Sequence, residues 1–177
     1  MRLFVSLELP EKIKTQIKKI QNLIKEKNLF YGNYTEKENL HLTLKFLGEI
    51  NKEEIEKIKR RLKEINFKEF ECEISEVGVF SKDFIKIIWV KLNGAEKLQK
   101  KVDESLKDLF KIEERFMSHI TIARVKNIKD KKELLNYLDK VKIPNLKFKV
   151  NKFFLKKSEL MDKPVYTSLE EYEKNIN

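Results

Sequence analysis

The sequence predicts a bilobal α+β fold made of two copies of one unit, strand, helix, strand, helix, strand, set about a pseudo-twofold axis with a cleft between them. Three observations predict it. Apolar periodicity switches repeatedly between two, as on a strand, and three to four, as on a helix face. The order of those segments in the first half recurs in the second. The chain's two histidines, His41 and His119, lie 78 residues apart and fall at matching places in the repeat.

Residues 2–9, Arg-Leu-Phe-Val-Ser-Leu-Glu-Leu, read as a first strand. Pro10 suits the first turn of a helix, where its missing N–H has no partner to lose. That helix reaches about Lys27, with Ile13, Ile17, Ile20 and Leu23 on one face. A strand at 39–47 points Leu40, Leu42 and Leu44 one way and His41, Thr43 and Lys45 the other, and Gly48 ends it. Asn51 with Glu54 three residues on resembles a capping box, opening a helix with Ile55, Ile58, Leu62 and Ile65 buried. A strand at 68–80 closes the first half. The second half starts with a strand at 84–92, a turn at Asn93-Gly94 and a helix at 95–110 carrying Leu98, Val102, Leu106 and Leu109. A strand at 115–125 sets His119 and Thr121 on one face. Asp130 and Glu133 mark the next helix, with Leu134, Leu138 and Val141, and Pro144 precedes a strand at 146–156. The expected organisation is a single domain, 1–177, of two pseudo-symmetric lobes at about 1–80 and 84–160, followed by a C-terminal strand at 164–172.

A chain of 177 residues can bury a core without staples, and with four Gly and three Pro no stretch reads as a linker. The formal charge of +10 favours a polyanionic partner. Charge alone leaves two readings, because most of the 39 basic residues are Lys beside Glu on helix faces, as on an ordinary solvated surface. Cys72 is the sole cysteine, which excludes a disulfide framework and a multi-cysteine zinc site; it alternates onto the apolar side of its strand as a small core residue. No signal peptide pattern and no run of about 18 apolar residues occur, so a cytoplasmic protein is expected.

Both histidines stand in one pattern, His41-Leu42-Thr43-Leu44 and His119-Ile120-Thr121-Ile122. With five Thr in the chain, a Thr two residues beyond both histidines is roughly a one-in-a-thousand coincidence. Period two puts imidazole and hydroxyl on one face, with apolar anchors behind them. A lone strand histidine reads as a locally hydrogen-bonded residue; two in matched repeats read as a pair. Imidazole titrates near neutrality, so one ring can take a proton while the other gives one, and the hydroxyls can bond non-bridging phosphate oxygens where charge builds up. A zinc site would need a third ligand, and neither motif sets Asp or Glu beside its histidine on the same face. No metal and no cofactor are expected. Phe46 and Arg124 each stand five residues after a histidine, and strict alternation turns both away from the histidine face, so a bulge or a strand end is needed to bring them to the cleft. There Arg124 would grip phosphate and Phe46 would stack on a base. Lys45 shares the histidine face and would add charge.

The segments Arg2-Leu-Phe-Val, Asn39-Leu-His-Leu-Thr-Leu-Lys-Phe-Leu-Gly48, Val77-Gly-Val-Phe80, Ser118-His-Ile-Thr-Ile-Ala-Arg124 and Pro164-Val-Tyr166 resemble the RNA 2′,3′-cyclic phosphodiesterases, also called 2′-5′ RNA ligases, of the two-histidine phosphoesterase superfamily. The resemblance covers nearly the whole chain in order. It implies two antiparallel sheets facing a basic cleft, hydrolysis of RNA 2′,3′-cyclic phosphate ends to 2′-phosphates, and a related, reversible joining of tRNA halves through 2′-5′ linkages. On it, His41 is the acid for the 3′-oxygen, His119 the base for water, and Thr43 and Thr121 phosphate ligands. The partner implied is RNA with a 2′,3′-cyclic phosphate end, tRNA halves among them, with no membrane and a monomeric chain. Two other readings stay open: a binding module for RNA ends or nucleotides without turnover, and a phosphodiesterase of small cyclic nucleotides.

Overall fold

The computed structural model describes residues 1–161 and 163–175. Residues 3–7 form a continuous apolar run broken only by Ser6, and that pattern belongs to a strand buried between two neighbours. This is β1 (Arg2–Glu8), and it lies between β3 (His41–Glu49) and β8 (Lys152–Leu160). With β9 (Pro164–Glu173) at the far edge, these make a four-stranded sheet in the order β3-β1-β8-β9. The second sheet has five strands in the order β2-β6-β5-β4-β7: β2 (Phe30–Tyr34), β6 (His119–Ile128), β5 (Ile87–Asn93), β4 (Phe70–Val79) and β7 (Leu146–Val150). All neighbours run antiparallel. The fold is α+β, with the two histidine strands β3 and β6 packed against each other where the sheets meet.

Four helices cover the sheets. On α1 (Glu11–Glu26) the buried stripe is Ile13, Ile17, Ile20 and Ile24; the expected Leu23 is half exposed, since Ile24 continues the 4-3-4 spacing and Leu23 steps off it. On α2 (Lys52–Lys63), Ile55, Ile58 and Leu62 are buried, and the side chain of Asn51 accepts the Glu54 N–H at 3.0 Å. After α3 (Glu96–Leu106) and β6 comes α4 (Lys131–Leu138), where Asp130 accepts the Glu133 N–H at 2.8 Å. The helices after the two histidine strands thus start with the same cap. Among the described residues no helix is long and apolar enough to cross a membrane.

Three features differ from the expected order of elements. The stretch 30–34 is a strand, although Gly32 and Asn33 make it a poor strand former; Gly32 lets it pair with β6, because a Cβ there would sit 2.2 Å from the Arg124 carbonyl oxygen. The strand expected at 146–156 is two strands in different sheets, and the change from alternating burial over 146–150 to continuous burial over 153–156 marks the crossing from an edge to an interior position. The lobes are not the contiguous stretches 1–80 and 84–160. The short connection at 80–86 joins β4 and β5 as a hairpin, so β4 from the first half sits in the second half's sheet, while β8 returns to pair with β1.

Asn51→Ala and Asp130→Ala are each expected to lower stability by about 1 kcal/mol, because each leaves a first-turn N–H without its acceptor. Urea unfolding of the two variants against the native chain checks this.

Candidate active site

A strand lays alternate residues on opposite faces, and β3 and β6 break that rule at the same place. Between β3 and β1 the register jumps from Thr43↔Ser6 to Lys45↔Val5, leaving Leu44 extra. Between β6 and β5 it jumps from Thr121↔Trp89 to Ala123↔Ile88, leaving Ile122 extra. Each extra residue stands three after its histidine, and the first seven positions of the two strands carry the same burial pattern. One inserted residue reverses the facing of every later position on its strand. Phe46 and Arg124, which regular alternation would send away from the histidines, therefore line the histidine cleft, and both are exposed.

The same shift removes Lys45 from the site. It takes the position that Ala123 occupies in β6 and is buried, 7% exposed. Its ammonium bonds the Asp103 carboxylate of α3 and the Lys111 carbonyl at 2.8 Å. Asp103 also accepts from Gln99 and from the Glu113 N–H at 3.1 Å, so the buried charge pair is well supplied with partners. Lys45 is thus no cleft cation. The bulge after Thr43 turns it inward.

His41, Thr43, His119 and Thr121 line one cleft of about 1210 Å³ together with Phe46 and Arg124. Each ring is fixed in the same way. Nδ1 of His41 lies 2.7 Å from the Asn39 carbonyl, and Nδ1 of His119 lies 2.7 Å from the Met117 carbonyl, in both cases two residues back. A carbonyl only accepts, so Nδ1 carries the hydrogen and Nε2 of the neutral ring is the free basic atom. At His41 that atom takes the Thr43 hydroxyl, 3.1 Å away. Aromatic rings wall in both imidazoles: Phe4 and Tyr166 stand 5.0 and 5.1 Å from His41, and Phe80 meets His119 edge-on at 4.7 Å. Behind Phe80 lies Trp89, whose ring covers the strand at Gly78, where a Cβ would come within 2.3 Å of it.

Burial lowers the pKa of His41 to about 4, against the raising effect of the Asn39 carbonyl and with Lys156 adding to the fall. Burial lowers His119 too, opposed by the Met117 carbonyl and helped by the Arg124 charge. Across from His41 on β1 is Glu8; burial disfavours its charge, but its bond to Lys156 holds it below the usual carboxylate range. Further cations, Arg2, Lys18 and Lys25, line the cleft, and the Arg2 guanidinium lies 4.9 Å from the Phe46 ring centre. Among the described residues no three His, Cys, Asp or Glu side chains gather as a metal site. A groove of about 1010 Å³ between α2 and α3 contains neither histidine and mixes charges of both signs.

Sequence reasoning missed the aromatic walls, Glu8 and the carbonyls at Asn39 and Met117. Comparing the repeats position by position would have flagged Lys45, whose counterpart is the apolar Ala123. Lys45→Ala is expected to destabilise the fold by about 3–5 kcal/mol by leaving Asp103 buried and unpaired. Denaturant unfolding measures it, and a stability loss under about 1 kcal/mol would contradict the buried pairing.

The family described as LigT like phosphoesterase matches residues 7–89 and 91–166. An RNA 2′,3′-cyclic phosphodiesterase of Methanocaldococcus jannaschii is 34% identical, over 97% of this chain and 100% of that protein. One of Archaeoglobus fulgidus is also 34% identical, over 98% of this chain and 100% of its own. Among solved structures, TT0787 of Thermus thermophilus superposes with a TM-score of 0.79 at 24% identity, covering 98% of this chain and 97% of that one.

Proposed function

The chain belongs to the LigT-like phosphoesterase family, and we propose on that footing that it is an RNA 2′,3′-cyclic phosphodiesterase, opening the cyclic phosphate at an RNA end to a 2′-phosphate. The observation that carries this reading is the matched pair of imidazoles, each with Nδ1 tied to a carbonyl, on facing strands of one basic cleft. In the reaction, Nε2 of His119 takes a proton from water, and the water oxygen attacks phosphorus. The bond from phosphorus to the 3′-oxygen breaks, and that oxygen takes a proton from Nε2 of His41. The products are a 2′-phosphate and a 3′-hydroxyl. Thr43 and Thr121 donate hydrogen bonds to the non-bridging oxygens, and Arg124 supplies a fixed positive charge beside them. The division of roles between the rings follows the family.

Both rings are neutral in the free protein at pH 7, which suits a base but not an acid. The substrate itself supplies the remedy. A phosphate anion entering a partly dry cleft favours a charged imidazole beside it, so binding raises the pKa of the ring that must donate. Phe46 is read as a stacking platform for a base, backed by Arg2. RNA as the substrate draws further support from the +10 charge and the cations lining the cleft. A cytoplasmic setting, tRNA halves as the physiological RNA and a monomeric state belong to the same proposal.

The test is an oligonucleotide ending in a 2′,3′-cyclic phosphate, incubated with the protein in EDTA, with the 2′-phosphate product resolved from the 3′ isomer. His41→Ala and His119→Ala are each expected to lower kcat by about 10²- to 10⁴-fold with little change in thermal stability. Unchanged turnover in either variant would sink the two-histidine mechanism. Comparing the oligonucleotide with a cyclic mononucleotide over a salt series distinguishes an RNA enzyme from one for small cyclic nucleotides.

The rings also set a pH dependence. Catalysis from the free protein needs one imidazole neutral and the other charged. Below the lower of their two pKa values both are charged and the base is lost; above the higher both are neutral and the acid is lost. Because both lie below the ordinary 6.5, kcat/KM is expected to fall as pH rises through 6.5, whichever ring holds which role. A profile of kcat/KM that peaks above pH 7 would contradict this.

A further inference from the structure

The extra residue in β6 leaves a carbonyl out of step with the β5 ladder, and an unpaired buried carbonyl is costly. The Ile122 carbonyl is nevertheless doubly bonded. It accepts the Thr35 N–H at 3.0 Å and the Nε2 amide of Gln21 at 2.7 Å. Gln21 comes from α1 and is 1% exposed. Its second amide hydrogen goes to the Thr35 carbonyl at 2.9 Å, and the Thr35 hydroxyl goes to the Thr121 carbonyl, also 2.9 Å. Three bonds to β6 and one within the clamp thus close over Thr121 and Ile122. On the same side as Thr35, Gly32 of β2 lies against the Arg124 carbonyl, and on the β5 side the Val125 N–H bonds the Lys86 carbonyl at 2.8 Å. Arg124 is held from both sides on a segment that a regular ladder would not hold.

Gln21 does this with its own oxygen buried and without a hydrogen-bond partner among the described residues. Such an oxygen weakens the fold, so the side chain is a poor choice for stability alone and a good one for donating two hydrogens at once.

We propose that Gln21 is a positioning residue of this site, acting through the Ile122 bulge to aim Arg124 at the substrate phosphate. The proposal rests on the reading of Arg124 as a phosphate ligand. Gln21 touches no substrate itself; removing its two donors frees the bulge to relax toward regular alternation, which carries Arg124 away from the cleft. A displacement of about 1 Å at such a group costs on the order of 10²-fold in rate.

The experiment is a double-mutant cycle on the cyclic-ended oligonucleotide with Gln21→Met, Arg124→Ala and both, alongside thermal unfolding of each. The expected result is a loss of about 10- to 100-fold in kcat/KM for Gln21→Met alone. In the Arg124→Ala background its further effect should shrink to about twofold, since coupled residues do not add. An equal loss in both backgrounds would mark a general structural role and overturn the proposal. So would full activity in a folded Gln21→Met protein while Arg124→Ala is impaired. If Arg124→Ala alone keeps full kcat/KM, the reading of Arg124 fails and the assignment of Gln21 with it, a pattern distinct from the other two. Gln21→Leu is the second variant: it also removes both donors with an apolar side chain of similar size, and the same cycle decides the matter should Gln21→Met fail to fold.

Discussion

Each histidine strand holds an extra residue three places after its histidine, and the position of that residue decides what the cleft contains. A regular β3 would show Lys45 beside Thr43, and a regular β6 would show Ala123 beside Thr121. With Leu44 and Ile122 inserted, the strands show Phe46 and Arg124 instead, an aromatic face and a guanidinium. The histidines and threonines precede the insertions and keep simple alternation, while the residues just beyond them, Lys45 and Phe46 on β3 and Ala123 and Arg124 on β6, are reversed. The site is thus a short regular segment for proton transfer followed by a re-aimed segment for binding.

An insertion leaves backbone out of step and side chains facing where they would not otherwise go, and the two strands meet that in different ways. In β6 a neutral amide from α1 and a hydroxyl from the stretch after β2 satisfy the displaced carbonyls. In β3 the lysine that the bulge turns inward is held by a carboxylate from α3. In each case the polar group comes from the helix that follows the other sheet-opening strand, α1 after β1 backing β6 and α3 after β5 backing β3. The two lobes therefore stabilise each other's functional strand. The imidazoles are treated alike, with a carbonyl two residues back fixing the same tautomer, and both are lowered from the ordinary value by burial, with Lys156 adding to the fall at His41 and Arg124 at His119.

Alternation and helix spacing placed most of the elements, and the paired His-x-Thr pattern identified the candidate site, because these depend on near neighbours along the chain. The capping residues Asn51 and Asp130 were legible for the same reason. What stayed hidden depends on contacts across the fold. Nothing local in Leu42-Thr43-Leu44-Lys45 announces a bulge, so Lys45 was placed on the wrong face. Gln21 reads as one more polar residue on a helix until the topology brings Ile122 beneath it. The strand at 30–34 has weak local preference and forms because β6 offers an edge that glycine can approach closely. The expected lobe boundary failed because sequence order does not tell which sheet a hairpin joins.

The exchange of strands between the halves has a consequence of its own. In the four-stranded sheet β1 is flanked by β8, and in the five-stranded sheet β5 is flanked by β4, each neighbour supplied by the other half. A single unit standing alone would expose one side of its own first strand, with a row of open amides and carbonyls and a bare apolar face beneath it. Two identical units trading their closing strands would fill both gaps and build the three matching strands of each sheet, β3-β1-β8 and β6-β5-β4. The chain is in that sense a strand-exchanged dimer written into one polypeptide. The linkage holds the two imidazoles at fixed stoichiometry and leaves each copy free to carry its own residue at the fifth position, phenylalanine in one and arginine in the other.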